Sequence, residues 1–210
     1  MNFFQFLSQN RAQVWELTLE HVWLVGISTL LAALAGIPLG IAIAHRPGWN
    51  KPVLAAANVI QTIPSLALFG FLLPVPWLGD RADRLAILAL TLYALLPMIR
   101  NAYTGIRGVD AAVVEAGRGM GLTEWQLLFE VELPLAMSVI LSGVRVAVVI
   151  SVGLATIAAA IGAGGLGEFI FRGLAMVNNS VILAGAVPAA LLALLADFSI
   201  GRLERRLQPR

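Results

Sequence analysis

Long apolar runs, each about the length needed to cross a bilayer, alternate along this chain with short polar breaks. They fall at residues 21–44, 53–73, 85 to 99 or 106, 135–161 and 181–200. A run of ~20 apolar residues at 1.5 Å rise matches the ~30 Å hydrocarbon core, so the pattern predicts an all-α polytopic membrane protein with five transmembrane helices. Residues 1–20 carry Arg11, Glu16 and Glu20 among apolar positions. They lack the basic start of a secretory signal, the run that follows is too long for a signal core, and the stretch reads as a short amino-terminal interfacial helix.

Within the runs, the polar and small residues carry the information. Ala32, Gly36, Gly40 and Ala44 recur at four-residue spacing, a small-residue stripe on which another helix can approach closely, although Pro38 disturbs the geometry there. The second run holds Asn58, Gln61, Thr62 and Pro64 close together, a costly group to leave in lipid, so this part is expected to face the protein interior. It reads either as a pathway lining or gate break, or as interhelical hydrogen bonding. Ser151 and Thr156 in the fourth run are the further polar candidates for a translocation path. A span measured back from Ala163 begins near Arg145, which places that arginine at the interface, snorkelling or meeting a carboxylate.

The longest polar interruption is residues 110–134, and it has its own pattern. Asp110 can cap a short helix running through Glu115; Gly117, Gly119 and Gly121 allow a reversal; Thr123 with Gln126 forms a capping box for a second helix. Trp125, Leu128 and Phe129 then fall on one face at i, i+3, i+4, with Glu124 and Glu130 elsewhere. A helix, turn and helix with an apolar side, outside the bilayer, points to docking.

Composition agrees: 59% of residues are hydrophobic and 12% charged, which excludes an ordinary soluble domain. The net charge of +2 is small and its basic residues are scattered among the spans, which argues against nucleic acid as a partner. Absence of cysteine excludes disulfides and thiolate sites, and His21 and His45, placed at span ends and far apart, make neither a metal centre nor a serine protease. Basic residues also orient the chain. With the amino terminus outside, the inner segments hold Arg46, Lys51, Arg100, Arg107, Arg118, Arg202, Arg205, Arg206 and Arg210, against Arg11, Arg81, Arg84 and Arg172 outside. The positive-inside rule therefore selects a cytoplasmic carboxyl terminus with a short tail at 207–210, a cytoplasmic 110–134 loop, and an extracytoplasmic re-entrant or short-helix segment at 162–179.

The pattern Glu115-Ala116-Gly117, then Gly121, Val131 and Leu133-Pro134 resembles the cytoplasmic coupling loop of the permease subunits of bacterial ATP-driven (ABC) importers of the type I, binding-protein-dependent family. Gly117 stands where alanine is commonest in that family and Val131 where isoleucine is. The likeness runs from about Leu17 to Arg206 and is densest from Gly105 to Gly167. Gln61-Thr-Ile-Pro-Ser-Leu-Ala-Leu68, Glu115-Ala-Gly-Arg-Gly-Met-Gly121 and Ala158-Ala-Ala-Ile-Gly-Ala-Gly-Gly-Leu-Gly167 are most similar to permeases for glycine betaine, choline and carnitine, quaternary-ammonium osmoprotectants. Amino-acid and methionine importers share the loop and give the alternative substrate class.

The resemblance implies a bacterial inner-membrane, multi-pass domain over 21–206. It also implies a second permease copy or paralogue, a cytoplasmic ATPase dimer carrying ATP-Mg, and an extracytoplasmic substrate-binding protein or domain. Glu115, Ala116, Gly117, Gly121, Trp125, Leu133 and Pro134 would meet the ATPase, and no cofactor would bind this chain. The sequence itself has no G-x-x-x-x-G-K-[ST] phosphate loop, so a non-catalytic transport subunit is expected. Gly162-Ala-Gly-Gly-Leu-Gly167 satisfies G-x-G-x-x-G formally, but it follows a membrane span and the next aspartate is Asp197, so a dinucleotide site is rejected. Leu141-Ser142-Gly143-Val144 resembles the start of an ATPase signature by chance. A self-sufficient carrier or channel is the rival, kept open by Asp197 in the fifth run but lacking paired carboxylates at any span centre. A membrane scaffold is the third reading, and the patterned loop argues against it.

Overall fold

The computed structural model describes residues 2–207. Residues 208–210 of the expected tail, and with them Arg210, lie outside the described residues. The described chain is helical throughout and has no strand. The helices are α1 (Phe3–Gln9), α2 (Arg11–Ala44), α3 (Asn50–Thr62), α4 (Ser65–Leu72), α5 (Ala82–Arg107), α6 (Ala111–Gly119), α7 (Glu124–Gln126), α8 (Leu133–Ala158), α9 (Gly167–Ala175) and α10 (Asn179–Arg206). A π-turn, Leu127–Glu132, joins α7 to α8, and a 3₁₀ turn, Ala159–Ile161, follows α8. Four helices are long and apolar enough to cross a membrane, five if the bent pair α3 and α4 counts as one span.

The boundaries depart from the hydrophobic pattern where polar residues ride on a continuous helix. Asn2 caps α1 through a capping box with Gln5, and α2 then starts at Arg11 and runs 34 residues without a break. That is about 51 Å at 1.5 Å per residue, longer than the hydrocarbon core, so Glu16 and Glu20 belong to the same rod as the apolar run. His21 is accordingly not at a helix end. It is buried inside α2, its Nε2 3.1 Å from the Val152 carbonyl of α8. Pro38 sits inside α2 without ending it.

The small-residue stripe does what its spacing predicts. Ala32, Gly36, Gly40 and Ala44 are all buried. A Cβ at Gly40 would lie 2.6 Å from both Ala102 Cβ and the Ile99 carbonyl of α5, so backbone approaches backbone there. Helix α5 packs between α2 and α8, and Gly143 of α8 meets Asn101 and the Pro97 carbonyl in the same close manner. Around this three-helix centre, α10 covers α8 and α9, while α3 and α4 lean on α5.

The second apolar run is broken. Helices α3 and α4 meet at 96° because Ile63 adopts an extended conformation before Pro64, as the residue preceding a proline must when its αR region is blocked. Two side chains staple the break to α5. Pro97 has no N–H, so the Tyr93 carbonyl four residues earlier lacks its helical donor; Gln61 Nε2 donates to it at 3.2 Å. The Tyr93 hydroxyl in turn donates to the Ile63 carbonyl that the break exposes.

At the far end of α8 the glycine run makes a tight loop. Gly164 and Gly165 have φ of +81° and +78°, a region closed to most side chains. The Gly165 N–H donates to Glu20 Oε2 at 3.0 Å, fastening this loop to α2. Helix α9 then packs Phe169 edge-on to Phe6, and Asn178 caps α10. Of the two expectations for Arg145, snorkelling or meeting a carboxylate, the second is what α8 shows: Asp197 lies at 3.5 Å and Glu204 at 3.4 Å, two turns apart on α10. Gly201 lies between them, and a Cβ there would be 2.8 Å from Arg145 Nη1, so the glycine makes room for the guanidinium.

Candidate functional site

The polar interruption folds as a hairpin of two helices that projects from one end of the bundle. Asp110 caps α6 by accepting the Ala112 N–H at 2.9 Å. Of the three glycines expected to reverse the chain, Gly121 alone has a positive φ, +87°; Gly117 and Gly119 lie within α6. Gly117 is glycine for a packing reason, since a Cβ there would stand 2.7 Å from Leu127 Cδ2. Thr123 and Gln126 form the expected capping box. Arg118 donates to Glu124 across the turn at 3.3 Å, and this hydrogen bond, followed by the charge of that carboxylate, raises the guanidinium above its already high ordinary pKa.

The second arm of the hairpin is not a separate helix. Capped by Thr123, the chain passes through α7 and the π-turn into α8, with Leu133 and Pro134 inside a continuous rod; Pro134 follows directly on the π-turn, where the Leu133 N–H donates to the Leu128 carbonyl five residues back. The π-turn also redistributes the apolar side. Trp125 and Phe129 stack with ring centroids 5.7 Å apart and stay 71% and 58% exposed, whereas Leu128 turns inward against the cluster of Ala102, Ala136 and Ile140. The single apolar face expected from the spacing is therefore split.

Glu115, Ala116, Gly121 and Trp125 are exposed, Gly117 is buried, Leu133 is half-buried and Pro134 is exposed. Together they give the hairpin a tip with an exposed carboxylate, an aromatic stack and the exposed side chain of Met120. The hairpin is joined to the end of α2 by His45, whose Nε2 is 2.8 Å from Glu132 Oε2. Beside this contact a cavity of about 380 Å³ lies between the carboxyl-terminal ends of α2 and α5 and the flank of α6. The sequence reading missed His45 and Glu132, because a histidine at the end of one apolar run and a glutamate before the next carry no shared periodicity.

The candidate path residues are not gathered into one site within this chain. Asn58, Thr62 and Pro64 are exposed along the outer side of the α3 and α4 break, and the Thr62 hydroxyl donates to the Val59 carbonyl. Gln61 is spent on the Tyr93 carbonyl. Ser151 is fully buried with no hydrogen-bond partner, on the α8 face that also buries Ala147 and Ala155. Thr156 is only half-buried and donates to the Gly153 carbonyl, about 140° around the helix from Ser151. A signal for Tyr93 was present in the sequence, since a proline four positions later always frees a carbonyl.

Residues 36–209 match the family described as the binding-protein-dependent transport system inner membrane component. The chain belongs to this family. Its similarity to curated members extends beyond the matched region to nearly the whole length. It is 47% identical over 205 residues to the glycine betaine/carnitine/choline transport system permease protein OpuCD of Bacillus subtilis (strain 168), covering 97% of this chain and 88% of that one. It is 42% identical over 205 residues to the carnitine transport permease protein OpuCB of Listeria monocytogenes, covering 98% and 93%. The fold is also that of a solved inward-facing MetNI methionine ABC transporter chain, with a TM-score of 0.83 and 23% identity over 98% of this chain and 99% of that one. As an inner membrane component of a binding-protein-dependent system, the chain is a multi-pass transport subunit of the bacterial inner membrane.

Proposed function

We propose that this inner membrane component is the permease of an ATP-driven importer of glycine betaine, carnitine and choline, taken up as osmoprotectants. The observation that carries the substrate class is the 38–47% identity to relatives named for those solutes, over nearly the whole chain. The transmembrane domain, 21–206, follows the interfacial segment 1–20 and precedes the tail 207–210. It has five spans, the bent pair α3 and α4 counting as the second, with its amino terminus outside and its carboxyl terminus in the cytoplasm.

In this arrangement the hairpin at 110–134 is a cytoplasmic coupling loop, and 162–179 is extracytoplasmic. Glu115, Ala116, Gly117, Gly121, Trp125, Leu133 and Pro134 make the contact with an ATPase dimer that holds ATP-Mg. A second permease copy or a paralogue completes the path, with Asn58, Gln61, Thr62, Pro64, Ser151 and Thr156 contributing to it or supporting it. An extracytoplasmic binding protein or domain delivers the solute. The exposed Trp125 and Phe129 stack supports the docking reading, because a large aromatic surface outside the bilayer is costly unless a partner covers it. Closure of the ATPases draws the paired hairpins together, and the continuous rod of α7, the π-turn and α8 carries that displacement into the membrane as alternating access.

Uptake by proteoliposomes of the complete complex, offered labelled glycine betaine, choline, carnitine, methionine and histidine in turn, tests the substrate class. The three quaternary-ammonium solutes are expected to accumulate and the two amino acids are not. Uptake of methionine or histidine instead would assign the chain to the amino-acid importers.

A further inference from the structure

The joint between α2 and the hairpin is built unlike the contacts around it. Elsewhere the inner end of α2 touches the hairpin side through apolar groups, Ala44 and Ile41 packing with Ala136 and Leu133. Such contacts are non-directional and hold no particular pair of atoms in register. The His45 and Glu132 pair is the only side-chain hydrogen bond between α2, or its cap, and residues 110–134 among the described residues. Glu132 is 8% exposed, and it closes the π-turn, a local geometry that recurs at functional positions in helices.

The pairing is directional at both ends. His45 Nδ1 lies 3.0 Å from the Ile41 carbonyl and Nε2 lies 2.8 Å from the Glu132 carboxylate. Both ring nitrogens therefore face acceptors, one on its own helix and one on the hairpin. The ring is thereby held against the last turn of α2 while its far nitrogen meets the hairpin carboxylate. The neighbouring cavity separates α2 from α6 rather than packing them together, and Arg107, Glu115 and Arg118 reach its wall. No direct bridge crosses it to compete with the His45 contact among the described residues.

We propose that His45 and Glu132 are positioning residues for transport: the contact through which displacement of the hairpin is passed into α2, so that the first span moves in step with the rod of α8. This rests on the reading of 110–134 as the coupling loop. The test is the number of solutes imported per ATP hydrolysed by the complete complex in proteoliposomes, for His45→Leu, Glu132→Leu, the double variant, His45→Gln and, as a separate control of the underlying reading, Glu115→Ala.

His45→Leu and Glu132→Leu are each expected to lower that ratio about five- to tenfold while hydrolysis persists, within the range that residues lying between coupled sites produce. The double variant should be no worse than either single one, and His45→Gln, which keeps an amide donor, should recover most of the ratio. If His45→Leu fails to assemble, Glu132→Leu reports the same contact from the other side. Uptake and hydrolysis falling in proportion, or losses that multiply in the double variant, would overturn the inference. Loss of coupling in Glu115→Ala with the His45 and Glu132 variants normal overturns this inference alone. Normal coupling in Glu115→Ala overturns the coupling-loop reading and this inference with it.

Discussion

Two glycines in the hairpin look alike in sequence and differ in physics. Gly117 has a helical backbone, and an added Cβ would strike Leu127, a side chain that is itself fully buried and can yield only by repacking. Gly121 has open space around it but a φ of +87°, which costs an L-residue roughly 1–2 kcal/mol. Gly117→Ala should therefore lower the thermal stability of the purified complex by about 1–3 kcal/mol through overpacking, and Gly121→Ala by about 1–2 kcal/mol through backbone strain; an unchanged stability in Gly121→Ala would show that the turn conformation is misassigned. The Gln61, Tyr93 and Pro97 arrangement gives a sharper residue-scale prediction. Gln61→Leu leaves the Tyr93 carbonyl without a donor and should destabilise the protein by about 1–3 kcal/mol. Restoring the helical N–H with Pro97→Ala should recover much of that loss in the double variant, measured by thermal unfolding in detergent. Losses that simply add would mean the proline and the glutamine act independently.

Among the elements, those with a strong period or a cap were readable in the sequence, and those that depend on a partner were not. The Asp110 and Thr123 caps, the stripe from Ala32 to Ala44 and the carboxylate partners of Arg145 all follow from local spacing or from the cost of an unpaired charge. The start of α2 did not, because Glu16 and Glu20 interrupt hydrophobicity without interrupting the helix; Glu20 is held by the Gly165 N–H, a partner 145 positions away. The apolar hairpin face was half right. Period 3.6 places Leu128 beside Trp125 and Phe129, but in the π-turn Leu128 is half-buried against the cluster of Ala102, Ala136 and Ile140 while the two aromatic rings stay exposed. The largest gain from the structure is that Leu133 and Pro134 do not divide loop from span. If the rod is the lever, inserting two glycines between Glu132 and Leu133 should leave ATP hydrolysis measurable and abolish uptake, whereas a flexible loop at that place would tolerate them.

At the scale of the molecule, one chain has an exposed hairpin at one end, candidate path residues divided between its surface and its interior, and no phosphate loop in its sequence. On the proposed reading the function belongs to an assembly: the exposed Asn58, Thr62 and Pro64 would line a path with another permease facing them, and the exposed aromatic tip would be covered by the docked ATPase. Such an assembly would also explain why the family could be read from the sequence while the path could not. The loop motif is local in sequence, whereas a path of the proposed kind, formed between two subunits, would not be. The central claim is that the hairpin transmits ATP hydrolysis into solute movement, and its most direct test is ATP-dependent glycine betaine uptake by proteoliposomes carrying the complete complex with Glu115→Ala and Gly121→Ala together. The account predicts that the doubly substituted chain stays inserted and hydrolysis continues while uptake is lost; uptake at the parent rate would contradict it.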